Sequence, residues 1–494
     1  MISCRDRVLS TVLACCCLAA GACSGSEPDP APSAADVPAI GSNPTRGQPP
    51  VILISLDTLR ADHLGVYGYD RPTTPRLDAF ADTATVYFKA RATSPWTLPS
   101  HASMFTGLYP FEHGCHRYDN SDAPRDPDME REQIREFNLA RMEASALDPS
   151  VLTLAEVLSA NGYRTGAVIA NRAYLNGKYR LDQGFDSYDN RDGRARAINS
   201  RALEWIGTNR DDPFFLFLNY MDVHLPYDCS EREGFPNVGT EKDANRVVTG
   251  LRKVTIDDDR RQVAARLQRM TWMYDVALAN LDQALGELFD ELRALDLFDR
   301  SLIIVTADHG EFLGEHDLIE HGQDVYEPVL GIPLLVKAPG QTIGSTDSGL
   351  ISLTHVPGLV LGAVHLPSLP EGVDALASHW PRNEVLAENS MFGKRPPNRV
   401  RFQSRHLVRR VLYLDKYKYI ESSDGRDELY DLERDPGELD NLIGREEKPA
   451  AALLALLNRH WAVTGAVTAP SFPDLSPEEL EEMQALGYLG DDGR

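Results

Sequence analysis

The stretch Pro50-Val51-Ile52-Leu53-Ile54-Ser55-Leu56-Asp57 decides the architecture. It is almost continuously apolar over a strand's length, without the alternation of a half-exposed strand, so both of its faces are covered. Strands of this kind belong to sheets sandwiched by helices, where ligands gather at the strands' carboxyl ends. Asp57 stands at that end and reads as a turn residue or as a ligand. The pattern recurs outward from it. Residues 214–221 form a second apolar run, followed by Asp222, His224 and Asp228. Residues 301–306 form a third, followed at once by Ala307-Asp308-His309-Gly310. A fourth, 332–336, comes after the loop carrying Glu320-His321-Gly322, and another strand is expected over 165–170. Helical periodicity opens near 74–81 and covers 151–161, 194–208 and 258–297, where Met270 and Met273 belong to the core. Strands alternating with helices predict an α/β fold with a mostly parallel sheet. From about residue 384 the texture changes to short antiparallel strands (384–389, 407–420, 429–432) and a helix over 450–460, a small α+β subdomain. The expected division is a catalytic α/β domain over 49–380, the subdomain over 381–470 and a tail over 471–494. Residues 119–150 read as a charged insertion with a helix over 128–143.

The chain has 494 residues, 42% of them hydrophobic, which is enough for a large core. Its net charge of -24 argues against a nucleic-acid partner. The N-terminus reads as a targeting segment. Arg5 and Arg7 precede an apolar run over 8–20, too short for a comfortable membrane span, which ends in Ala20-Gly21-Ala22-Cys23. Residues 1–22 therefore read as a lipoprotein-type signal peptide and Cys23 as the lipid-anchored residue, with a cleaved secretory signal as the alternative. Residues 23–48, rich in Pro, Ser, Asp and Ala, form a tether. The expectation is an exported protein that meets the membrane only through Cys23. Oligomeric state is not readable.

The segment Ser94-Pro95-Trp96-Thr97-Leu98-Pro99-Ser100-His101 runs into a short helical stretch stopped by Gly107. Thr97 there is either a helix cap or a hydroxyl nucleophile facing the positive end of a helix dipole. The rest of the chain favours the second reading. Asp57, Asp222 with His224, and Asp308 with His309 lie at three strand ends of one sheet, and His321 sits on a nearby loop. Carboxylates with histidine suit a divalent metal, zinc or manganese before calcium or magnesium. A metal lowers the pKa of a hydroxyl, the hydroxyl attacks an anionic ester, and a histidine protonates the departing alcohol.

Leu56-Asp57-Thr58-Leu59-Arg60, Thr74-Pro75-Arg76-Leu77-Asp78, Thr97-Leu98-Pro99-Ser100-His101, His224-Leu225-Pro226-Tyr227, Thr306-Ala307-Asp308-His309-Gly310, Tyr326-Glu327 and Glu428-Leu429-Tyr430-Asp431-Leu432 occur in that order. Together they resemble the sulfatase family of the alkaline phosphatase superfamily, over about residues 49–445. The resemblance implies a large, mostly parallel sheet between helices with a small C-terminal domain, and a metal-dependent ester hydrolase.

The sequence departs from that family at the nucleophile. Sulfatases carry a Cys or Ser that is oxidised to formylglycine, followed by Pro and Arg at fixed spacing. Here Thr97 and His101 stand in the places of the Cys or Ser and of the Arg. Oxidising a threonine would give a ketone, and a sulfated threonine lacks the exit that formylglycine hydrate provides. Asp57-Thr58 replaces a pair of Asp ligands, and Asp308-His309 replaces an Asp-Asn pair. These changes resemble the phosphodiesterase and phosphate-transferring branches of the superfamily. The resemblance implies Asp57, Thr97, Asp308 and His309 as ligands of one metal, and Thr97 as nucleophile. His224 and His321 act on the substrate's oxygens or leaving group, or hold a second metal, for which Asp222 is a weaker candidate. His101 contacts the nucleophile or caps its helix. His113 is structural, and His316 lies near the site without a clear role. Phosphate mono- or diester chemistry is the first expectation, a divergent sulfatase the alternative, and a non-catalytic surface binding protein the third. Cys115 follows the nucleophile segment and Cys229 follows His224, which raises a disulfide between them as a hypothesis.

Overall fold

The structure is a computed structural model. It describes residues 47–116, 144–255, 257–364, 366, 382–389, 407–463, 476, 478–479 and 483. The signal segment, Cys23, most of the tether, the helix expected over 128–143 and most of the tail lie outside the described residues.

The strands are β1 (Val51–Leu56), β2 (Thr85–Arg91), β3 (Arg164–Ile169), β4 (Ser187–Asn190), β5 (Phe214–Tyr220), β6 (Leu302–Thr306), β7 (Phe312–Leu313), β8 (Ile319–Glu320), β9 (Leu334–Lys337), β10 (Ser345–Ser352), β11 (Glu384–Asn389), β12 (Arg409–Leu414), β13 (Tyr417–Ser422) and β14 (Glu428–Asp431). Eight of them form one sheet in the order β10-β2-β9-β6-β1-β5-β3-β4. β1 lies between β5 and β6, parallel to both, and every residue of β1, β5 and β6 is buried. The continuous apolar runs are thus the central strands, as their lack of alternation requires. β9, the run read at 332–336, lies antiparallel to both β6 and β2. An apolar run specifies a covered strand but not its direction.

Helices cover both faces of this sheet. The longest, Arg260–Ala294, turns Met270, Met273, Leu278, Leu281 and Leu285 into the core. Burying each such side chain contributes roughly 1.5–3 kcal/mol. Asp282 of this helix accepts hydrogen bonds from the backbone N–H groups of Arg76 and Leu77, at 3.0 and 2.8 Å, in the first turn of the Pro75–Ala81 helix. A second, four-stranded antiparallel sheet, β11-β12-β13-β14, forms the C-terminal subdomain with the Glu447–Val463 helix. Within the antiparallel stretch read over 407–420, β12 and β13 form a hairpin that turns at Asp415, a residue with positive φ.

Buried ion pairs join the subdomain to the body. Lys418 reaches Glu438 at 2.6 Å and Glu327 at 3.2 Å, and Arg91 reaches Glu327 at 2.8 Å. No helix among the described residues is long and apolar enough to cross a membrane. Cys115 and Cys229 are both buried free thiols, which corrects the disulfide hypothesis. The Cys115 thiol donates to the Ser145 carbonyl instead.

Candidate active site

The register of the central strands brings the distant motifs together. Leu56 pairs with Tyr220 of β5, and Ser55 pairs with Thr306 of β6. The residues that follow these strands, Asp57, Asp222 and Asp308, therefore leave the sheet along one edge, as the strand-end rule predicts. The Thr97–Thr106 helix begins over the same edge. Its N-cap is Trp96, in extended conformation, and Thr97 is the first residue inside the helix. At that position Thr97 lies inside the first turn, one residue past the N-cap. Gly107 closes the helix with φ of 72°, a left-handed conformation that glycine adopts without steric cost.

Asp57, Asp308 and His309 each present a ligand atom, and these three atoms lie within 4.8 Å of one another. The Nε2 of His309 is 3.4 Å from Asp308 Oδ2, 3.8 Å from Asp57 Oδ1 and 3.5 Å from Thr97 Oγ1. All four side chains are fully buried. The other oxygens of the carboxylates are occupied: Asn171 donates to Asp57 Oδ2 at 2.9 Å, and the His309 N–H donates to Asp308 Oδ1 at 2.9 Å. Asp57 Oδ1 and Asp308 Oδ2 have no hydrogen-bond partner. Two buried anionic oxygens without donors, facing an imidazole nitrogen, are costly in a polypeptide alone and suit a cation. The imidazole is set to match. Its Nδ1 lies 2.9 Å from the Gly310 carbonyl, which can only accept, so Nδ1 carries the proton and Nε2 offers a lone pair. Burial raises the pKa of both carboxyls, and the Asp57 charge pushes Asp308 further, well above the usual carboxylate range. Burial, then His321, holds His309 well below the usual imidazole range.

The turn after Asp57 is strained. Thr58 has φ of 61°, rare for a β-branched residue. Three hydrogen bonds hold it: its N–H to Asp308 Oδ1 at 3.3 Å, its hydroxyl to the Val223 carbonyl at 2.9 Å, and its carbonyl from the Tyr274 hydroxyl at 2.9 Å. The Thr58 hydroxyl is thus engaged with backbone and stands outside the group of Asp57, Asp308 and His309. Gly310 is required by close approach, since a Cβ there would lie 2.1 Å from the Pro328 carbonyl oxygen.

The histidines divide into two groups. His224 and His321 join the site: the ring of His321 lies 4.6 Å from that of His309 and 5.0 Å from that of His224. The His224 Nδ1 is 2.7 Å from the Leu225 carbonyl and so carries its proton there. The His321 Nδ1 is 3.1 Å from Glu311 Oε1. Burial, then His224, lowers His321 to a pKa of about 3. His101 lies beneath Thr97. Its Nδ1 donates to the Thr97 carbonyl at 2.9 Å and lies 3.5 Å from Asp308 Oδ2, so its Nε2 accepts from the Ser55 hydroxyl at 2.9 Å. His113 bridges Ser103 and the Cys115 N–H away from the ligand group. His316 stacks on Tyr326 at 3.8 Å, towards the C-terminal sheet. Asp222 is not in the metal-type group. Its Oδ1 accepts the Ala195 N–H at 3.0 Å and anchors the start of the Ala195–Asn209 helix.

Three contributors were not singled out from sequence. Asn171 lies two residues past β3, so the strand-end rule already pointed at it. Glu311 stands two residues after His309. Ser55 is the one polar residue of the β1 run.

A family model described as Sulfatase matches residues 49–366, and the chain belongs to the sulfatase family. An arylsulfatase of Clostridium perfringens is 22% identical over 457 residues, covering 81% of this chain and 91% of that protein. The multifunctional alkaline phosphatase superfamily protein PehA of Trinickia caryophylli is 26% identical over 496 residues, covering 82% and 92%. Among solved structures, the phosphonate monoester hydrolase of Silicibacter pomeroyi superposes with a TM-score of 0.59 at 18% identity, covering 85% of this chain and 96% of that one. BT4656, in complex with its substrate D-glucosamine-2-N,6-O-disulfate, gives 0.63 at 17%, covering 84% and 98%. The fold is that of the sulfatases and the alkaline phosphatase superfamily, and the protein is a sulfatase-like ester hydrolase. Proteins of this superfamily are metal-dependent, and Asp57, Asp308 and His309 form a group that suits an ion.

Proposed function

We propose that this protein cleaves an anionic phosphate mono- or diester through a Thr97 nucleophile, with zinc or manganese as its metal. The observation that carries the proposal is the placement of Thr97 Oγ1 3.5 Å from His309 Nε2, beside two partnerless carboxylate oxygens, at the first residue of a helix. A divalent ion on Asp57, Asp308, His309 and Thr97 would lower the pKa of the hydroxyl and shield the ester's oxygens.

The chain's own residues supply the rest. The Thr97 oxygen forms the bond to phosphorus as the bond to the alcohol oxygen breaks, and water later releases phosphate from Thr97. The Nδ1–H of His224 is held by the Leu225 carbonyl, so Nε2 is the atom that exchanges a proton with substrate or leaving group. His321, backed by Glu311, faces the same space. His101 ties the first helical turn to β1 through Ser55 and so orients Thr97. The helix N-terminus favours the negative charge that develops there.

Sulfate ester hydrolysis is the second reading, favoured by the arylsulfatase among the relatives. Export with a lipid anchor on Cys23 belongs to the proposal too, supported by Arg5, Arg7, the short apolar run and the small residues before the cysteine.

The test is turnover of matched aryl phosphate monoester, phosphodiester and sulfate with Mn, Zn or Ca, for the wild type and for Thr97→Ala. Phosphoester turnover that needs Mn or Zn and is lost in Thr97→Ala is expected. Preference for the sulfate overturns the phosphoester assignment, and full activity in Thr97→Ala overturns the nucleophile.

A further inference from the structure

β11 is an edge strand of the C-terminal sheet, paired on one side with β12. Edge strands normally turn an unpaired row of backbone groups to solvent or to a cover. This edge is spent on the two segments that carry the reaction. The Glu388 N–H donates to the Thr93 carbonyl at 2.9 Å, and the Ser94 hydroxyl donates to the Glu388 carbonyl at 2.9 Å. One residue on, the Asn389 Nδ2 donates to the Gly322 carbonyl at 3.2 Å. The Gly322 N–H closes the ring by donating to the Pro95 carbonyl at 2.9 Å. Gly322 follows His321 directly, and Pro95 lies two residues before Thr97. Asn389 is 1% exposed, so its bond is shielded from water. The Lys418 ammonium of the same sheet holds the loop again, donating to the Val325 carbonyl at 2.7 Å.

We propose that Asn389 is a positioning residue: through Gly322 it fixes His321 against Thr97, and the C-terminal sheet thereby sets the geometry of a site to which it contributes no reacting group. The physical basis is the steep dependence of reaction rate on alignment, where a displacement of ~1 Å costs ~10²-fold. Without the Asn389 donor, the Gly322 peptide keeps its bond to Pro95 but loses the grip on its other side. His321 then samples orientations in which it no longer meets the group leaving Thr97's target. The inference rests on the roles given above to Thr97 and His321, and it holds for either kind of ester.

The experiment is a double-mutant cycle on the full metal-loaded chain, read with whichever aryl ester the wild type turns over best. Asn389→Ala removes the donor, and Asn389→Leu removes it while keeping the space filled, so a folding failure of the first still leaves the second to be read. The expected result is a fall in kcat of about 10- to 100-fold with KM changed far less, and a melting temperature close to wild type. Combined with His321→Ala, the Asn389 substitution should cost less than about twofold more, because its effect passes through His321. A purely structural loss would instead add in full. Full additivity, or wild-type kcat in both Asn389 variants while His321→Ala is impaired, overturns this inference alone. Wild-type turnover in His321→Ala overturns the role of His321 and this inference with it.

Discussion

Asp308→Asn separates the electrostatics of the site from its chemistry. In the metal-free protein, Asp57 Oδ1 and Asp308 Oδ2 lack donors, and the two carboxylates present ligand oxygens no more than 4.8 Å apart. Two unit charges at that separation repel by about 3.5 kcal/mol at an effective dielectric constant of 20. Burial and the Asp57 charge raise Asp308 well above the usual carboxylate range, so the metal-free pair relieves part of this by keeping a proton. The sign follows by linkage: the folded state holds more protons than the unfolded one, so metal-free stability falls as pH rises from the ordinary carboxyl pKa towards the raised one. Removing the titrating group should relieve this progressively as pH rises above the ordinary carboxyl pKa, by at most about 3 kcal/mol once both carboxyls are charged. For a chain of this length, at about 2.1 cal/mol/K per residue, that is about 3 °C in Tm. An ion at one hundred times its Kd should raise the wild type by about 2.7 kcal/mol and leave the variant unmoved. The assay is thermal unfolding of both proteins after chelation and after Mn or Zn addition, at pH 6 and pH 8. The reasoning is refuted if chelation leaves the wild-type Tm unchanged, or if Asp308→Asn keeps the metal-dependent rise.

Two further outcomes are expected. Asp282, raised to a pKa of about 7 chiefly by burial, keeps a proton in the fold that the unfolded chain loses near its ordinary value. Stability should therefore fall between about pH 4 and pH 7, by at most about 1.4 kcal/mol per pH unit, and Asp282→Asn should flatten that slope in chemical unfolding curves across the range. Gly310→Ala would bring a Cβ to 2.1 Å from the Pro328 carbonyl oxygen, so it should cost roughly 1–3 kcal/mol in denaturant unfolding and displace His309, with loss of metal binding by calorimetry. A variant as stable and as metal-avid as wild type would show that the close approach is not constraining.

The central strands were legible because full burial leaves a continuous apolar run, as in β1, β5 and β6. The strands towards the sheet's far edge were not. β2 is only partly buried, and β10 begins with polar, exposed residues, so neither carries that signal. The Glu241–Arg252 helix also went unread, although Thr240 and Asp243 form a capping box at its start. At the site, Asp57, Asp308 and His309 were visible because each lies within three residues of the end of a buried strand. Asp222 carried the same signal and serves as a helix anchor, because position at a strand end fixes the edge a side chain leaves by but not its partner.

The sequence by itself determined the fold class, the edge of the sheet at which chemistry occurs and the residue types available there, because apolar periodicity and motif order are local properties of the chain. Only the tertiary structure decided how those residues act together. It placed Thr97 inside its helix and not at the cap, set His101 between Ser55 and the Thr97 carbonyl, left the two cysteines apart, and left two carboxylate oxygens without donors. The Ser55–His101 bond, the separation of the cysteines and the bare carboxylate oxygens depend on segments tens to hundreds of residues apart, and such distances are fixed by packing, which no local pattern encodes.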